Sequence, residues 1–279
     1  MKHSLRNSFF LFGSAVGLGF LSFQLRRTMM ATCIDGKGLL IGGNLPGMLL
    51  WAAGIVFALV LLAVTRNFGG EGVYEDNFPR SFFSGVLMIA AAAVLTMALP
   101  QMQLHEAPQS AAPLLPDRLV QLGGVLKEVL PWAAAVCMAL TGLARMGGRR
   151  PWWGCSGILC QFFITGLIAQ YQRTSADPNL HEYAHQTLAL VFLMLAAFHR
   201  ACCDAGLLCR RKLVRACFGA VFFCLASLGD AVMPRFYLAG ALWALGSVCR
   251  LAVFPPDPEE EPEADGDEPE GAEAPAETE

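Results

Sequence analysis

The chain has 279 residues, of which 55% are hydrophobic and only 15% are charged, and its mean hydropathy is +0.48. Soluble domains are about 45–50% apolar and about 25% charged, so this composition excludes an ordinary soluble domain. The apolar residues are concentrated in blocks close to the roughly 20 residues that cross a bilayer, which indicates an all-α integral membrane protein.

Eight apolar segments predict a polytopic membrane helix bundle of about eight transmembrane helices within residues 1–254. Several segments are short, so seven spans remain an alternative to eight. The expected spans, in chain order, are Ser8–Phe23, Pro46–Thr65, Ser81–Leu99, Val129–Leu143, Ser156–Tyr171, Tyr183–Arg200, Leu213–Leu228 and Phe236–Phe254.

Two local patterns within this region predict further structure. Gly13 and Gly17 have the Gly-x-x-x-Gly spacing, which predicts a close helix approach in the first span. In the longest loop, "LPDRLVQLGGVLKEVLPW" has apolar residues at helical spacing, with Arg118, Lys127 and Glu128 on the other face. This pattern predicts an interfacial amphipathic helix that leads into the fourth span.

The end of the chain differs sharply from the membrane region. Residues 257–279 hold 12 of the 23 Asp and Glu and no Lys or Arg, so the remaining residues carry 20 basic and 11 acidic groups, a formal charge of +9. Because the segment is rich in Pro, Glu, Ala and Gly, we expect residues 255–279 to form a disordered acidic tail. A solvated tail is the simpler interpretation, and a protein partner of the tail is the alternative.

Basic residues in the loops predict the orientation of the chain in the cell membrane. With the N-terminus inside, the inner segments contain 13 Lys and Arg and the outer segments seven. The positive-inside rule therefore predicts a cytoplasmic N-terminus and a cytoplasmic C-terminus. Arg26 and Arg27 oppose this orientation, which leaves open the side on which the hairpin 24–45 lies.

Polar residues gather at the predicted outer ends of the last four spans. They form a possible outer-face cluster of Tyr171, Arg173, Asp177, Tyr183 and Arg235, together with His181, Glu182, His185 and Asp230. Charged residues at helix ends also occur simply because the membrane stops there. If the chain has a ligand site, we expect it at this outer face.

His181, Glu182 and His185 form a His-Glu-x-x-His motif, which on a helix is typical of zinc peptidases. In that interpretation His181, His185 and Asp230 would bind the metal, and Glu182 would be the catalytic base. In the competing interpretation the motif is the start of a helix, with Asp177 as the N-cap and Pro178 as the first helical residue. The sequence favours the helix start, because no Glu follows Glu182 before the tail and only Asp230 could supply a third ligand.

The chain resembles an uncharacterised group of multi-pass membrane proteins of anaerobic Gram-positive bacteria. The resemblance rests on Asp177-Pro178, Tyr183-Ala184, "LALVFLMLAAFHRA" running into Asp204-Ala205-Gly206, the "DGKGLL" hairpin and the closing "FYLAGALWAL". It implies a bacterial multi-pass membrane fold and brings no activity with it. Because the group does not typically have His at both His positions of the motif, the resemblance also implies that the zinc motif is peculiar to this chain.

Together these patterns favour a non-enzymatic membrane protein that binds a small ligand, a lipid or a partner at its outer face. A zinc-dependent membrane metallopeptidase and a transporter without ion coupling are the alternatives. We expect the lipid bilayer as a partner, no nucleic acid and no cofactor, with zinc belonging only to the peptidase alternative. The sequence leaves the oligomeric state open.

Overall fold

The computed structural model describes residues 2–33, 44–66, 78, 80–104, 117–174, 183–207, 210–229 and 233–249, without the side chains of 2–9, 101–127 and 173–174. The predicted acidic tail, residues 255–279, lies outside the described residues. The fold is all-α and has eight α-helices in the described part of the chain, which we number α1 to α8. They are α1 Lys2–Thr32, α2 Leu45–Thr65, α3 Phe82–Leu104, α4 Asp117–Gly147, α5 Trp153–Thr174, α6 Ala184–Ala205, α7 Arg210–Ser227 and α8 Pro234–Val248.

Helix α2 shows how local sequence defines an element of this fold. The side chain of Asn44 accepts a hydrogen bond from the backbone N–H of Gly47 at 2.7 Å, and a proline follows in the first turn. Both features are typical of a helix start. Only five of the 21 residues are buried, and they recur every three or four positions: Leu50, Ala53, Phe57, Leu61 and Thr65. One narrow stripe of α2 therefore packs on the bundle, and the rest of its surface is apolar and exposed.

Helix α4 differs from its sequence-based prediction. The predicted interfacial helix and the fourth span form one continuous helix, Asp117–Gly147, which passes through Pro131. A proline inside a helix removes one backbone hydrogen bond but does not always end the helix. The loop segment is thus an extension of the helix whose later part, from Glu128, is long and apolar enough to cross a membrane.

The last two helices lie inside the bundle. Helix α7 packs against α1, α2, α6 and α8, and α8 packs against α3, α6 and α7. Thirteen of the 18 residues of α7 are buried and so are ten of the 15 residues of α8. Aromatic contacts of Phe163 with Phe236 and Trp243 also connect α8 to α5. Helices α1, α2, α3, α5 and α6 contact this central pair.

Five helices are long and apolar enough to cross a membrane: α2, α3 as far as Pro100, α4 from Glu128, α5 as far as Gln172, and α6. The chain is therefore a multi-pass membrane protein. Helix α7 begins with Arg210, Arg211 and Lys212, and α8 has only 15 residues, so neither resembles an isolated span. Both helices are covered by neighbouring helices and need less apolar surface than a helix that faces lipid.

Close helix approach occurs at different glycines from those predicted. An added Cβ at Gly142 in α4 would lie 2.8 Å from the carbonyl oxygen of Gly85 in α3, so these backbones are in direct contact. Gly13 and Gly17 have no atom of another helix within 4 Å of an added Cβ, and the prediction of close packing there is wrong. Gly19 is the glycine of α1 that contacts α7, through Leu225.

Candidate functional site

Contacts between helix ends divide the polar residues of the bundle into two groups. At one end, Arg145 near the end of α4 bonds Ser84 near the start of α3, and Arg211 near the start of α7 bonds the carbonyl of Arg66 after α2. We call this the basic end. At the opposite end, Arg235 near the start of α8 bonds the carbonyl oxygen of Met97 in α3. Successive helices therefore run in alternating directions.

The two ends differ strongly in charge. Among the described side chains, three cations lie at the opposite end, Arg26, Arg27 and Arg235. The described acidic side chains are Glu128 and Asp204, of which only Asp204 lies at the basic end. The basic end holds ten described cations, which are Arg66, Arg80, Arg145, Arg149, Arg150, Arg200, Arg210, Arg211, Lys212 and Arg215.

A buried ion pair lies at the centre of the basic end. Arg200 Nε lies 3.0 Å from Asp204 Oδ1, one turn apart on α6, and both side chains are 0% exposed. Asp204 Oδ2 also accepts a hydrogen bond of 2.7 Å from the hydroxyl of Ser156 at the start of α5. The pair thus joins α6 to α5, and each charge is stabilised by a group that has also been removed from water.

Phe78, which precedes α3, contacts two arginines of this end. The guanidinium carbon of Arg200 is 4.4 Å from the centre of the Phe78 ring, and that of Arg145 is 5.0 Å away. Both distances are within the range of a cation–π interaction. Both guanidiniums are buried and contact the same ring.

Arg145 extends the network to two further helices. Its Nε donates to the hydroxyl of Ser84 at 3.3 Å, and this hydroxyl donates to the carbonyl of Gly246 in α8 at 2.5 Å. Arg145 also donates to the carbonyl of Cys249, the residue after α8, at 3.3 Å. The buried network of Arg145, Arg200, Asp204, Ser84 and Ser156 therefore joins the ends of α3, α4, α5, α6 and α8.

Exposed cations and indoles adjoin the buried network where α4 turns into α5. Arg80 donates to the carbonyl of Met146 at 2.8 Å and packs on Gly148, whose positive φ of 68° ends α4. Arg149 and Arg150 follow, and then Trp152 and Trp153, which are 64% and 57% exposed. We call Arg80, Arg149, Arg150, Trp152 and Trp153 the basic corner. Exposed guanidiniums beside exposed indoles are typical of the membrane–water interface.

His185, one of the predicted zinc ligands, lies at the opposite end in a different environment. Its ring is 4% exposed, and its Nδ1 is 3.2 Å from a guanidinium nitrogen of Arg26, which is itself 1% exposed. Because arginine can only donate, Nδ1 accepts this bond and the proton of the neutral ring is on Nε2. Trp51 and Phe223 lie against the same ring. Here His185 is an acceptor for a buried cation.

The other predicted site residues are only partly described. Helix α6 begins at Ala184 with Tyr183 as its N-cap. No group of three or more potential metal ligands is present in the described part of the chain. The side chains of Arg173, Asp177, Pro178, His181, Glu182 and Asp230 lie outside the described residues, so the zinc set and the Asp177-Pro178 cap stay predictions.

Three members of the predicted outer-face cluster are described, at the ends of α5, α6 and α8, and the cluster itself stays a prediction. Tyr171 is 68% exposed on α5, and Tyr183 is half-buried before α6. Arg235 bonds the carbonyl of Met97 at 3.2 Å. A separate buried contact nearby joins Gln170 to Gln186 at 2.6 Å. The network at the basic end was not predicted, because in the sequence those cations indicated only the orientation of the chain.

Comparison with protein-family models, with curated proteins and with solved structures gives no match to this chain. The resemblance to bacterial multi-pass membrane proteins therefore stays a prediction.

Proposed function

We propose that this multi-pass membrane protein binds anionic phospholipid headgroups at the basic end of its helix bundle. The basic corner is the observation that carries the proposal, because Arg80, Arg149 and Arg150 are exposed beside Trp152 and Trp153. Indoles prefer the depth of the headgroups, and cations at that depth attract anionic lipids by about 1 kcal/mol each. The proposal moves the expected lipid contact from the predicted outer face to the basic end.

The buried network supports this role by holding the corner rigidly. Arg150 Nε donates to the carbonyl of Asp204 at 2.6 Å, and its guanidinium is 3.1 Å from a Cβ added to Gly206, so it packs on the end of α6. Asp204 is in turn held by Arg200 and Ser156. An anchored guanidinium loses less freedom when a headgroup binds than a free one does.

We also infer that all eight helices cross the bilayer and that the basic end faces the cytoplasm. The excess of ten described cations over three supports this orientation under the positive-inside rule. Both the start of α1 and the end of α8 would then be cytoplasmic. The peptidase and the transporter remain alternatives, and no contact within the described residues favours either of them.

Lipid retention in native mass spectrometry tests the proposal. The purified protein is mixed with equal amounts of phosphatidylglycerol and phosphatidylcholine, and the bound lipids are counted. We expect preferential retention of phosphatidylglycerol, reduced about fivefold by Arg149→Gln because one cation contributes about 1 kcal/mol. Arg149→Lys should retain most of the preference.

Arg27→Gln is the matched control, because it removes one exposed cation from the opposite end. It should leave the preference unchanged if the basic corner is the binding surface. Equal retention of the two lipids by the unmodified protein, or equal losses in Arg149→Gln and Arg27→Gln, would show that the basic corner does not select anionic lipid.

A further inference from the structure

The acidic C-terminal segment, residues 257–279, has a complementary surface on its own chain. We propose that this segment binds electrostatically to the exposed cations of the basic end. The segment carries 12 Asp and Glu and no Lys or Arg. The inference does not depend on lipid binding, because the two partners are parts of one polypeptide.

The position of the last described residue brings the segment to the correct end of the bundle. The carbonyl of Cys249 accepts a hydrogen bond from Arg145, so the chain leaves α8 within the basic end. Asp257 is eight residues further along the sequence. Eight residues reach about 28 Å at most, and neighbouring helices are about 8–10 Å apart. The first carboxylate can therefore reach cations on several helices.

The exposed cations at this end are numerous enough to match the segment. Six of them lie on or next to three helix connections: Arg66, Arg80, Arg149, Arg150, Arg211 and Lys212. Arg211 and Lys212 are held beside Arg66, because Arg211 donates to the carbonyl of Arg66 at 3.3 Å. Cations grouped in this way create a field that is stronger than that of scattered charges.

Covalent attachment makes weak charge pairs sufficient for binding. A single exposed ion pair contributes little, but a short tether keeps the local concentration of the segment near the millimolar range. An anionic bilayer surface would repel the segment and leave the end face of the bundle as its favourable partner. Salt should weaken the contact, because exposed charges are screened within about 8 Å at physiological ionic strength.

The lysines of the chain allow a zero-length cross-linking test. Lys212 is at the basic end, whereas Lys127 is in the part of α4 that lies toward the opposite end. The full chain is placed as single copies in phosphatidylcholine nanodiscs, treated with a water-soluble carbodiimide at low salt, and mapped by peptide mass spectrometry. Because these discs contain no anionic lipid, the outcome is separate from that of the lipid proposal.

We expect amide links from carboxylates of residues 257–279 to Lys212, about tenfold more abundant than links to Lys127. Raising the salt to 1 M, where screening acts within about 3 Å, should reduce the Lys212 links at least fivefold. Arg211→Glu should reduce them several-fold, while Arg27→Glu at the opposite end should not. No tail link to Lys212, equal links to Lys127, or equal effects of the two variants would overturn the proposal.

Discussion

The buried pair of Arg200 and Asp204 allows the strongest prediction about stability. We expect Asp204→Asn to destabilise the fold by about 3 kcal/mol, because removing one partner of a buried ion pair costs about 3–5 kcal/mol and asparagine retains the volume and one acceptor. Both side chains are 0% exposed, so water cannot replace the lost charge without rearrangement. Total stabilities are about 5–15 kcal/mol, which makes this a large fraction.

Thermal unfolding in detergent, followed by size-exclusion chromatography or by circular dichroism, measures the effect. For a chain of about this size, 1 kcal/mol changes Tm by about 2–4 °C, so Asp204→Asn should lower Tm by about 6–12 °C. Glu128→Gln is the matched control, because Glu128 is an exposed acidic residue away from the network. Its effect should stay within about 0.5 kcal/mol.

A double-mutant cycle separates the ion pair from the other contacts of these residues. Arg200→Met removes the cation and its stacking on Phe78, and the double variant removes both charges. Arg200→Met loses this stacking both in the presence of Asp204 and in the Asp204→Asn background, so the free energy of the stacking cancels in the cycle. We expect the double variant to be at least about 1.5 kcal/mol more stable than additivity allows. Additive effects of the two substitutions, or equal Tm values for Asp204→Asn and Glu128→Gln, would show that the buried ion pair does not stabilise the fold.

Three further predictions follow from the described contacts. Gly142→Ala should destabilise the fold by about 1–3 kcal/mol, because its Cβ would meet a backbone oxygen at 2.8 Å. Gly13→Ala has open space and should not destabilise the fold, so thermal melts of both variants would show whether close packing is at Gly142. Because Arg26 lies 3.2 Å from Nδ1 of His185, metal analysis should give the same zinc content for the unmodified protein and for His185→Ala. About one zinc per chain that is lost in the variant would instead favour the metallopeptidase interpretation. An alkaline phosphatase reporter fused after residue 177 should be active and one fused after residue 149 inactive, and the reverse pattern would invert the proposed orientation.

The helices could be predicted from the sequence alone, because the bilayer imposes a local requirement on length and hydropathy. The prediction Pro46–Thr65 matches α2, Leu45–Thr65, and Ser156–Tyr171 lies within α5, Trp153–Thr174. Each of these helices satisfies its own backbone, so its existence depends on neighbouring residues in the sequence and not on distant ones.

Which polar residues meet and which helices are buried depends on contacts between residues that are far apart in the sequence. Ser84 bonds the carbonyl of Gly246, which is 162 positions away, and Arg26 contacts His185, which is 159 positions away. The local sequence around His185 favoured a helix start and left a metal ligand as the alternative, and only the packing of the helices placed the guanidinium of Arg26 against its ring. The Gly-x-x-x-Gly spacing predicted close packing at Gly13, where an added Cβ would meet nothing within 4 Å. Gly142 is not part of such a spacing, yet its backbone contacts that of Gly85. The functional groups of a residue can be read from the sequence, but its burial and its partners depend on which helices pack beside it. The packing of the helices in turn depends on the whole bundle.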